Sequence, residues 1–141
     1  MSEPTDSVLT GGCLCGAVAY RSGAPIRPPS ICHCTSCRRA AGAHAVAWFT
    51  APTAQFAFTR GAPATFRSSP PVVRSFCASC GTPLTYRHDD SPHEVDVTIG
   101  SLDDPSRVAP VAHTWMEDAA SWDRPGDGRP QFAQSRAHAG D

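Results

Sequence analysis

The chain of 141 residues contains no lysine, and all twelve of its basic residues are arginine. Reactions that need a lysine Schiff base or a lysine general base are therefore excluded. The chain also lacks any apolar run of roughly 18 residues, the length that a helix needs to cross a bilayer. Its formal net charge is only −1, which gives no general attraction to the phosphate backbone of nucleic acids. Nucleic acid and membrane are not expected partners.

A secretory signal is missing as well. Residues 1–6 have neither the basic start nor the apolar run of such a signal, so we expect a cytoplasmic protein, in a compartment that disfavours disulfides. With 141 residues, of which 40% are hydrophobic, the chain makes one domain with a core of modest size. Bound metal ions would add substantially to the stability of such a domain.

Long helical patterns are scarce in this sequence. Fourteen prolines and eleven glycines divide it into short pieces, and the apolar residues between them mostly alternate with period two, as in β-strands. The candidate strands are residues 14–20, 44–50, 56–59, 72–76, 84–87 and 94–99. Helical patterns are limited to short turns near residues 36–41 and 102–106. The sequence predicts an all-β fold, a small single domain of short antiparallel strands with short helical turns.

Composition also predicts how the C-terminal end of the chain behaves. Residues 124–141 are rich in Gly, Pro, Arg and Asp, with Phe132 as their one large apolar residue. We expect this last segment to be a loosely held C-terminal tail.

Cysteine is abundant, and it occurs in three tight groups. The groups are Cys13-Leu14-Cys15, Cys32-His33-Cys34-Thr35-Ser36-Cys37 and Cys77-Ala78-Ser79-Cys80. The odd number of seven cysteines and the C-x-C spacing disfavour the alternative of a disulfide framework. A thioredoxin-like role for the third group is also disfavoured, because Gly81-Thr82-Pro83 follows it and stops any helix. Ligation of zinc is the favoured interpretation.

The spacing suggests how the cysteines divide between two metal sites. Residues i and i+2 of an extended strand point to one face, so a C-x-C pair offers two sulfurs to one metal, and a C-x-x-C turn does the same. Combining the first and third groups gives a closed structural zinc site that joins distant parts of the chain. Its ligands would be Cys13, Cys15, Cys77 and Cys80. A partition in which the middle group borrows a cysteine stays open.

The middle group then forms a second site with three sulfurs. Cys32, Cys34 and Cys37 leave a fourth position vacant, the arrangement of a catalytic zinc. The alternative is a second structural zinc, completed by one of the histidines His44, His88, His93 and His113. His33 is not expected to be a ligand, because the middle residue of an extended C-x-C faces the opposite side.

Five motifs follow one another along the chain. They are Gly11-Gly12-Cys13-x-Cys15-Gly16, Cys32-His33-Cys34-x-x-Cys37-Arg38, Phe76-Cys77-x-x-Cys80-Gly81, Ile99-Gly100-Ser101-Leu102-Asp103-Asp104-Pro105 and His113-Thr114-Trp115. Over roughly residues 8–123 the chain resembles the glutathione-dependent formaldehyde-activating enzyme family. The extent of the resemblance implies an N-terminal extension at residues 1–7 and a zinc-binding domain at residues 8–123. The resemblance implies a mainly β domain stapled by two zinc ions, with Cys13, Cys15, Cys77 and Cys80 structural and Cys32, Cys34 and Cys37 catalytic. It also implies carbon–sulfur lyase activity on glutathione and formaldehyde.

Zinc chemistry fits a thiol substrate. A zinc ion with three thiolates already carries a net charge of about −1, so it prefers a soft sulfur as its fourth ligand, and a coordinating thiol loses its proton. We hypothesise reversible formation or cleavage of a thiohemiacetal, with Arg38 or Arg39 offsetting negative charge or holding a substrate carboxylate. The alternative for both arginines is a solvated helical face.

Other functional interpretations stay open from the sequence. His113 is either a proton carrier or a structural histidine, and Trp48, Phe49 and Trp122 line either a pocket or the core. The domain itself could be a thiol carrier without catalysis, or a zinc-stapled interaction module. These alternatives separate on whether the protein binds a thiol and whether it changes the rate of the aldehyde reaction.

Overall fold

The computed structural model describes residues 8–136 and confirms the predicted all-β fold class. Within this range the chain forms ten β-strands, one α-helix and short 3-10 turns. The strands are β1 (Leu9–Gly12), β2 (Ala19–Ser22), β3 (Ser30–Cys32), β4 (Val46–Pro52), β5 (Phe56–Arg60), β6 (Ala64–Ser69), β7 (Val72–Phe76), β8 (Pro83–His88), β9 (Glu94–Thr98) and β10 (Ala112–Thr114). The helix α1 comprises Thr35–Ala41. Among these residues, no helix has the length and apolar character to span a membrane.

The strands assemble into two sheets. A three-stranded sheet has the order β1-β2-β5, and a seven-stranded sheet has the order β10-β3-β4-β9-β8-β7-β6. The pairs are antiparallel, apart from the parallel pair of β10 and β3. Because β10 lies beside β3, the polypeptide after β9 returns to the edge of the larger sheet that carries the middle cysteine group.

The seven-stranded sheet has one apolar face and one largely polar face, because successive residues of a strand point to opposite sides. On β4, Phe49 and Ala51 are fully buried in the core, whereas Trp48 and Thr50 line a cavity on the other side. The core contains residues of both sheets: Leu9, Val18, Tyr20, Phe49, Ala51, Cys77, Leu84, Val95, Val97, Ile99, Leu102 and Val108. The small sheet thus covers the apolar face and leaves the opposite face for a site.

Helix α1 begins within the middle cysteine group. The sulfur of Cys34 caps the helix by accepting a hydrogen bond from the backbone N–H of Cys37 at 3.3 Å. The helix ends at Gly42, whose N–H donates to the carbonyl of Arg38. This single short helix confirms the helical turn predicted near residues 36–41, and it places Cys34 and Cys37 on one turn.

The division into extension, domain and tail stays a prediction, and residues 1–7 and 137–141 lie outside the described residues. Residues 130–132 run alongside β10. The backbone N–H of His113 donates to the carbonyl of Pro130 at 2.8 Å, and the N–H of Phe132 donates to the carbonyl of His113 at 2.9 Å. Nearby, Asp127 contacts His113 of β10 at 2.8 Å, and Arg136 donates to the carbonyl of Pro28 at 3.0 Å.

Candidate metal centres

The first and third cysteine groups meet at the end of the core. The sulfurs of Cys13, Cys15, Cys77 and Cys80 all lie within 4.8 Å of one another, and Cys15 Sγ is 3.7 Å from the sulfurs of both Cys13 and Cys77. Four sulfurs about 2.3 Å from a tetrahedral zinc would be about 3.8 Å apart, whereas a disulfide joins its sulfurs at about 2.05 Å. The four-cysteine group therefore has the spacing of a zinc site.

Both loops of the four-cysteine group have the backbone form of a metal-binding turn. The N–H of Cys80 lies 3.4 Å from the sulfur of Cys77, to which it donates. A glycine follows the second cysteine of each pair: Gly16 and Gly81 both have φ +83°. Glycine adopts this left-handed conformation without the steric penalty of a side chain, so each chain can turn away directly after its second sulfur.

Thr82 joins the two loops of the four-cysteine group, although the sequence motifs do not single it out. Its hydroxyl accepts a hydrogen bond from the backbone N–H of Leu14 at 3.0 Å and lies 3.3 Å from Cys80 Sγ. Hydrogen bonding by Thr82 lowers the pKa of Cys80 to about 5. A low pKa favours the thiolate, which is the form of cysteine that binds a metal.

The middle group also brings its sulfurs together. Cys32 ends β3, and Cys34 and Cys37 lie at the start of α1, with all three sulfurs within 4.8 Å of one another. Within residues 8–136, no histidine, aspartate or glutamate joins them as a fourth member of the group. The predicted candidates for that position, His44, His88, His93 and His113, are therefore not part of the cluster.

The electrostatics of this three-cysteine cluster suit a cation. Hydrogen bonds from Cys32 and Cys37 lower the pKa of Cys34 to about 2. Conversely, hydrogen bonds with Cys34, and to a smaller extent with Cys37, raise the pKa of Cys32 far above the ordinary value of a thiol. Like charges so close together oppose a second ionisation, and a divalent cation would remove that repulsion. The donor set is thus one that a zinc ion would complete.

His33 lies behind the cluster and lines neither of the cavities described below. It is only 1% exposed, and burial lowers its pKa. Its Nε2 is 3.0 Å from Nδ1 of His113, whose own Nε2 is 2.8 Å from the carboxylate of Asp127. The position of His33 agrees with the expected alternation of the C-x-C segment, and His113 packs as its partner.

The three-cysteine cluster opens on a cavity of about 920 Å³. A row of side chains crosses its floor on four adjacent strands, each residue directly opposite the next in register: Arg74 on β7, Tyr86 on β8, Asp96 on β9 and Thr50 on β4. All four line the cavity. The row exists because each of these residues occupies the outward-facing position of its strand.

Arg74 places a positive charge beside the cluster. Its guanidinium nitrogens lie 3.9 and 4.0 Å from Cys37 Sγ, and its Cζ lies 5.0 Å from the centre of the Tyr86 ring. Among the described residues, no carboxylate forms an ion pair with it. Its one sequence signal is a charge in the middle of the strand Val72–Phe76. Arg38, predicted from sequence, lines neither cavity, and it donates to Thr35 Oγ1 at 3.3 Å.

Charges of both signs occur farther along the cavity. Burial raises the pKa of Asp96, although its Oδ1 accepts a hydrogen bond from Thr50 at 2.6 Å. Arg27, which is paired with Glu94, and Arg136 line the same cavity. Like Arg74, Asp96 is a charged residue in the middle of its strand. This site can accommodate a molecule with both positive and negative groups.

A second cavity, of about 320 Å³, adjoins the first between α1 and the seven-stranded sheet. Cys37, Trp48 and Arg74 line both cavities. The sequence predicts that three aromatic residues line either a pocket or the core. Trp48 lines a pocket and Phe49 belongs to the core, while Trp122 is 72% exposed. The three-cysteine cluster lies where the two cavities meet.

Comparisons with known proteins matched a family model and a solved structure. The family model described as glutathione-dependent formaldehyde-activating enzyme matches residues 8–118. Among solved structures, a crystal structure of a Rhodobacter sphaeroides protein from a structural genomics programme matches with a TM-score of 0.57. The two sequences are 21% identical, and the match covers 87% of this chain and 98% of that chain. At this identity the likeness shows a shared fold.

Proposed function

The chain belongs to the glutathione-dependent formaldehyde-activating enzyme family, and from this premise we propose that it is a carbon–sulfur lyase acting on a glutathione-like thiol and a small aldehyde. One observation carries the proposal: three cysteine sulfurs without a fourth protein ligand among residues 8–136 line a cavity of about 920 Å³. Cavities of about 300–1,000 Å³ are usual for small-molecule sites.

We assign two zinc ions to the chain. Cys13, Cys15, Cys77 and Cys80 would hold a structural ion, because four sulfurs complete a tetrahedron. Cys32, Cys34 and Cys37 would hold an ion of catalytic type. When bound, that ion would supply an open position for a thiol in its deprotonated form. Thiolate ligands persist in a reducing compartment, which supports a cytoplasmic location.

The reaction is an addition and its reverse. A bond forms between the substrate sulfur and the aldehyde carbon, the carbonyl π pair passes to oxygen, and the oxygen takes up a proton in place of the one that the thiol lost. Arg74 stands beside the cluster, where its positive charge would stabilise the negative charge on sulfur and then on oxygen. Arg38 lines neither cavity, and its catalytic role stays a prediction from the sequence.

The polar cavity also suits the charged ends of glutathione, which has two carboxylates and one ammonium group. Asp96 is positioned to bind the ammonium group, and Arg136 a carboxylate. Asp96 lies two strands from Arg74, roughly 10 Å away in a sheet. This separation suits a substrate whose thiol lies at the cluster and whose ammonium group lies at the far end of an extended chain.

The proposal is tested by exchange NMR on glutathione and formaldehyde at equilibrium with their adduct. Zinc-loaded protein is expected to accelerate the exchange, and Cys37→Ser is expected to abolish the acceleration. Thiol binding without any change in the exchange rate would indicate that the protein is a thiol carrier and not an enzyme. Absence of both binding and acceleration would leave a zinc-stapled interaction module.

A further inference from the structure

The cavity between α1 and the sheet is lined mostly by apolar groups. Its walls include Ala40 and Ala41 of α1, Val46 and Trp48 of β4, and the aromatic residues Phe66 and Phe76. At about 320 Å³ it has room for several carbon atoms, since one water molecule occupies about 30 Å³ of liquid. Formaldehyde, with two heavy atoms, would leave most of this space unfilled.

Several polar side chains in the wall already have partners. The hydroxyls of Ser75 and Thr85 are hydrogen-bonded to each other, and Arg74 donates to Ser68 as well as to the sulfur of Cys37. A water molecule is stable in a protein interior only where it finds two to four polar partners. This cavity offers few of them, so an apolar occupant suits it better.

The position of the cavity relates it to the reaction centre. It contacts the three-cysteine cluster through Cys37, whereas the larger cavity is lined by all three cysteines. A thiol that must reach the cluster therefore enters from the larger, charged cavity. The aldehyde, which is the second substrate, would then approach the cluster from the smaller, apolar cavity.

We propose that the smaller cavity binds the apolar substituent of the aldehyde, so that the preferred substrates are linear aliphatic aldehydes of several carbons. This inference rests on the proposed function. The covalent step is unchanged: sulfur bonds to the carbonyl carbon, the π pair moves to oxygen, and the oxygen takes up one proton. The alkyl chain would lie against Trp48 and Ala41, with the carbonyl group directed toward Cys37 and Arg74.

The test compares formaldehyde, butanal and hexanal with glutathione as the thiol. From butanal to hexanal, kcat/KM is expected to rise roughly fourfold for each methylene that becomes buried. In Ala41→Leu, which fills the cavity, the ratio of kcat/KM for hexanal to that for formaldehyde is expected to fall at least about tenfold, because two methylenes lose their place. Ala43→Leu is the matched control, since Ala43 is exposed and lines neither cavity.

A binding measurement on the unmodified protein accompanies the kinetics. The unreactive analogue 1-hexanol is expected to show nuclear Overhauser contacts with the methyl groups of Val46, which lines the smaller cavity and not the larger one, and glycerol is expected to show none. Turnover of formaldehyde without any gain from chain length, or without hexanol contacts at Val46, would overturn this inference and leave the proposed function in place. Turnover of no aldehyde at all would overturn both.

Discussion

Arg74 and Cys37 meet across the cavity, with the guanidinium nitrogens of Arg74 at 3.9 and 4.0 Å from the sulfur of Cys37. One residue comes from the middle of a strand and the other from the start of α1. The ring of Tyr86 lies under the guanidinium at 5.0 Å, a distance at which a cation–π interaction helps to hold it in place. A positive charge is thus fixed beside sulfurs that would be thiolates when they hold a zinc ion.

Replacing this arginine should therefore impair the reaction. Arg74→Gln is expected to lower kcat/KM for thiol and aldehyde by about tenfold to 100-fold, because hydrogen bonds to charged groups contribute about 1.5–3 kcal/mol. The control is Arg67→Gln, on the neighbouring strand, where the side chain is exposed and paired with Asp89. Arg38→Gln, measured beside them, tests the residue predicted from sequence. Equal activity of Arg74→Gln and Arg67→Gln would remove Arg74 from the mechanism.

Asp96 provides a test of how the thiol is held. Asp96→Asn keeps the side-chain oxygen that accepts from Thr50 and removes the negative charge, so glutathione is expected to bind about tenfold more weakly. N-acetylglutathione, which lacks the ammonium group, should bind the wild type and Asp96→Asn equally. Titration calorimetry of both thiols checks this. If Asp96→Asn weakened both thiols to the same extent, Asp96 would support the fold of the cavity and not bind the ammonium group.

The two cysteine groups should differ in what they stabilise. The four-cysteine group connects segments 62 residues apart, as Cys15 and Cys77 show, whereas the other group closes no long loop. Cys77→Ser is expected to lower the free energy of unfolding by more than about 3 kcal/mol, because metal binding is coupled to folding. Cys37→Ser should cost less stability and retain one zinc. Urea denaturation with metal analysis distinguishes them, and equal stability loss in both variants would contradict the assignment.

Tyr20 predicts how stability changes at alkaline pH. Burial raises the pKa of Tyr20 to about 12, while a tyrosine in the unfolded chain ionises near about 10. Stability is therefore fully present below about pH 10 and is lost as the pH rises toward 12, by about 1 kcal/mol between pH 9 and 11. The variant Tyr20→Phe has no phenol to ionise, so its free energy of unfolding should not show this decrease at alkaline pH. Urea denaturation at both pH values checks it, and identical pH dependence in the two proteins would contradict the prediction.

Much of the fold could be predicted from the spacing of turn residues. The strand at Val72–Phe76 was predicted with the bounds that the structure shows, because its apolar residues are bounded by proline and cysteine. Strands β3 and β10 have three residues each, which is too short for an alternating pattern. Strand β6 was missed because its side chains, apart from that of Phe66, are small or charged, and its pairing with β7 defines it.

The candidate site could be predicted only in part. The cysteine motifs predicted two groups of four and three sulfurs, because metal ligands in such turns lie close together in sequence. Arg74, Tyr86 and Asp96 come from three different strands, and only the register of the sheet brings them together. Arg38 follows Cys37 directly in the sequence, but a helical residue next to a ligand points in another direction. Proximity in sequence therefore does not indicate Arg74, whose guanidinium contacts the sulfur of Cys37.

The proposed function depends on a zinc ion in the three-cysteine cluster that is able to take a thiol. Zinc content together with X-ray absorption at the zinc edge, with and without glutathione, tests for this ion. We expect two zinc ions per chain with about 3.5 sulfurs each on average, since one group offers four sulfurs and the other three, rising to about four when glutathione is added. Two zinc ions with four protein sulfurs or histidine nitrogens each, unchanged by glutathione, would contradict it.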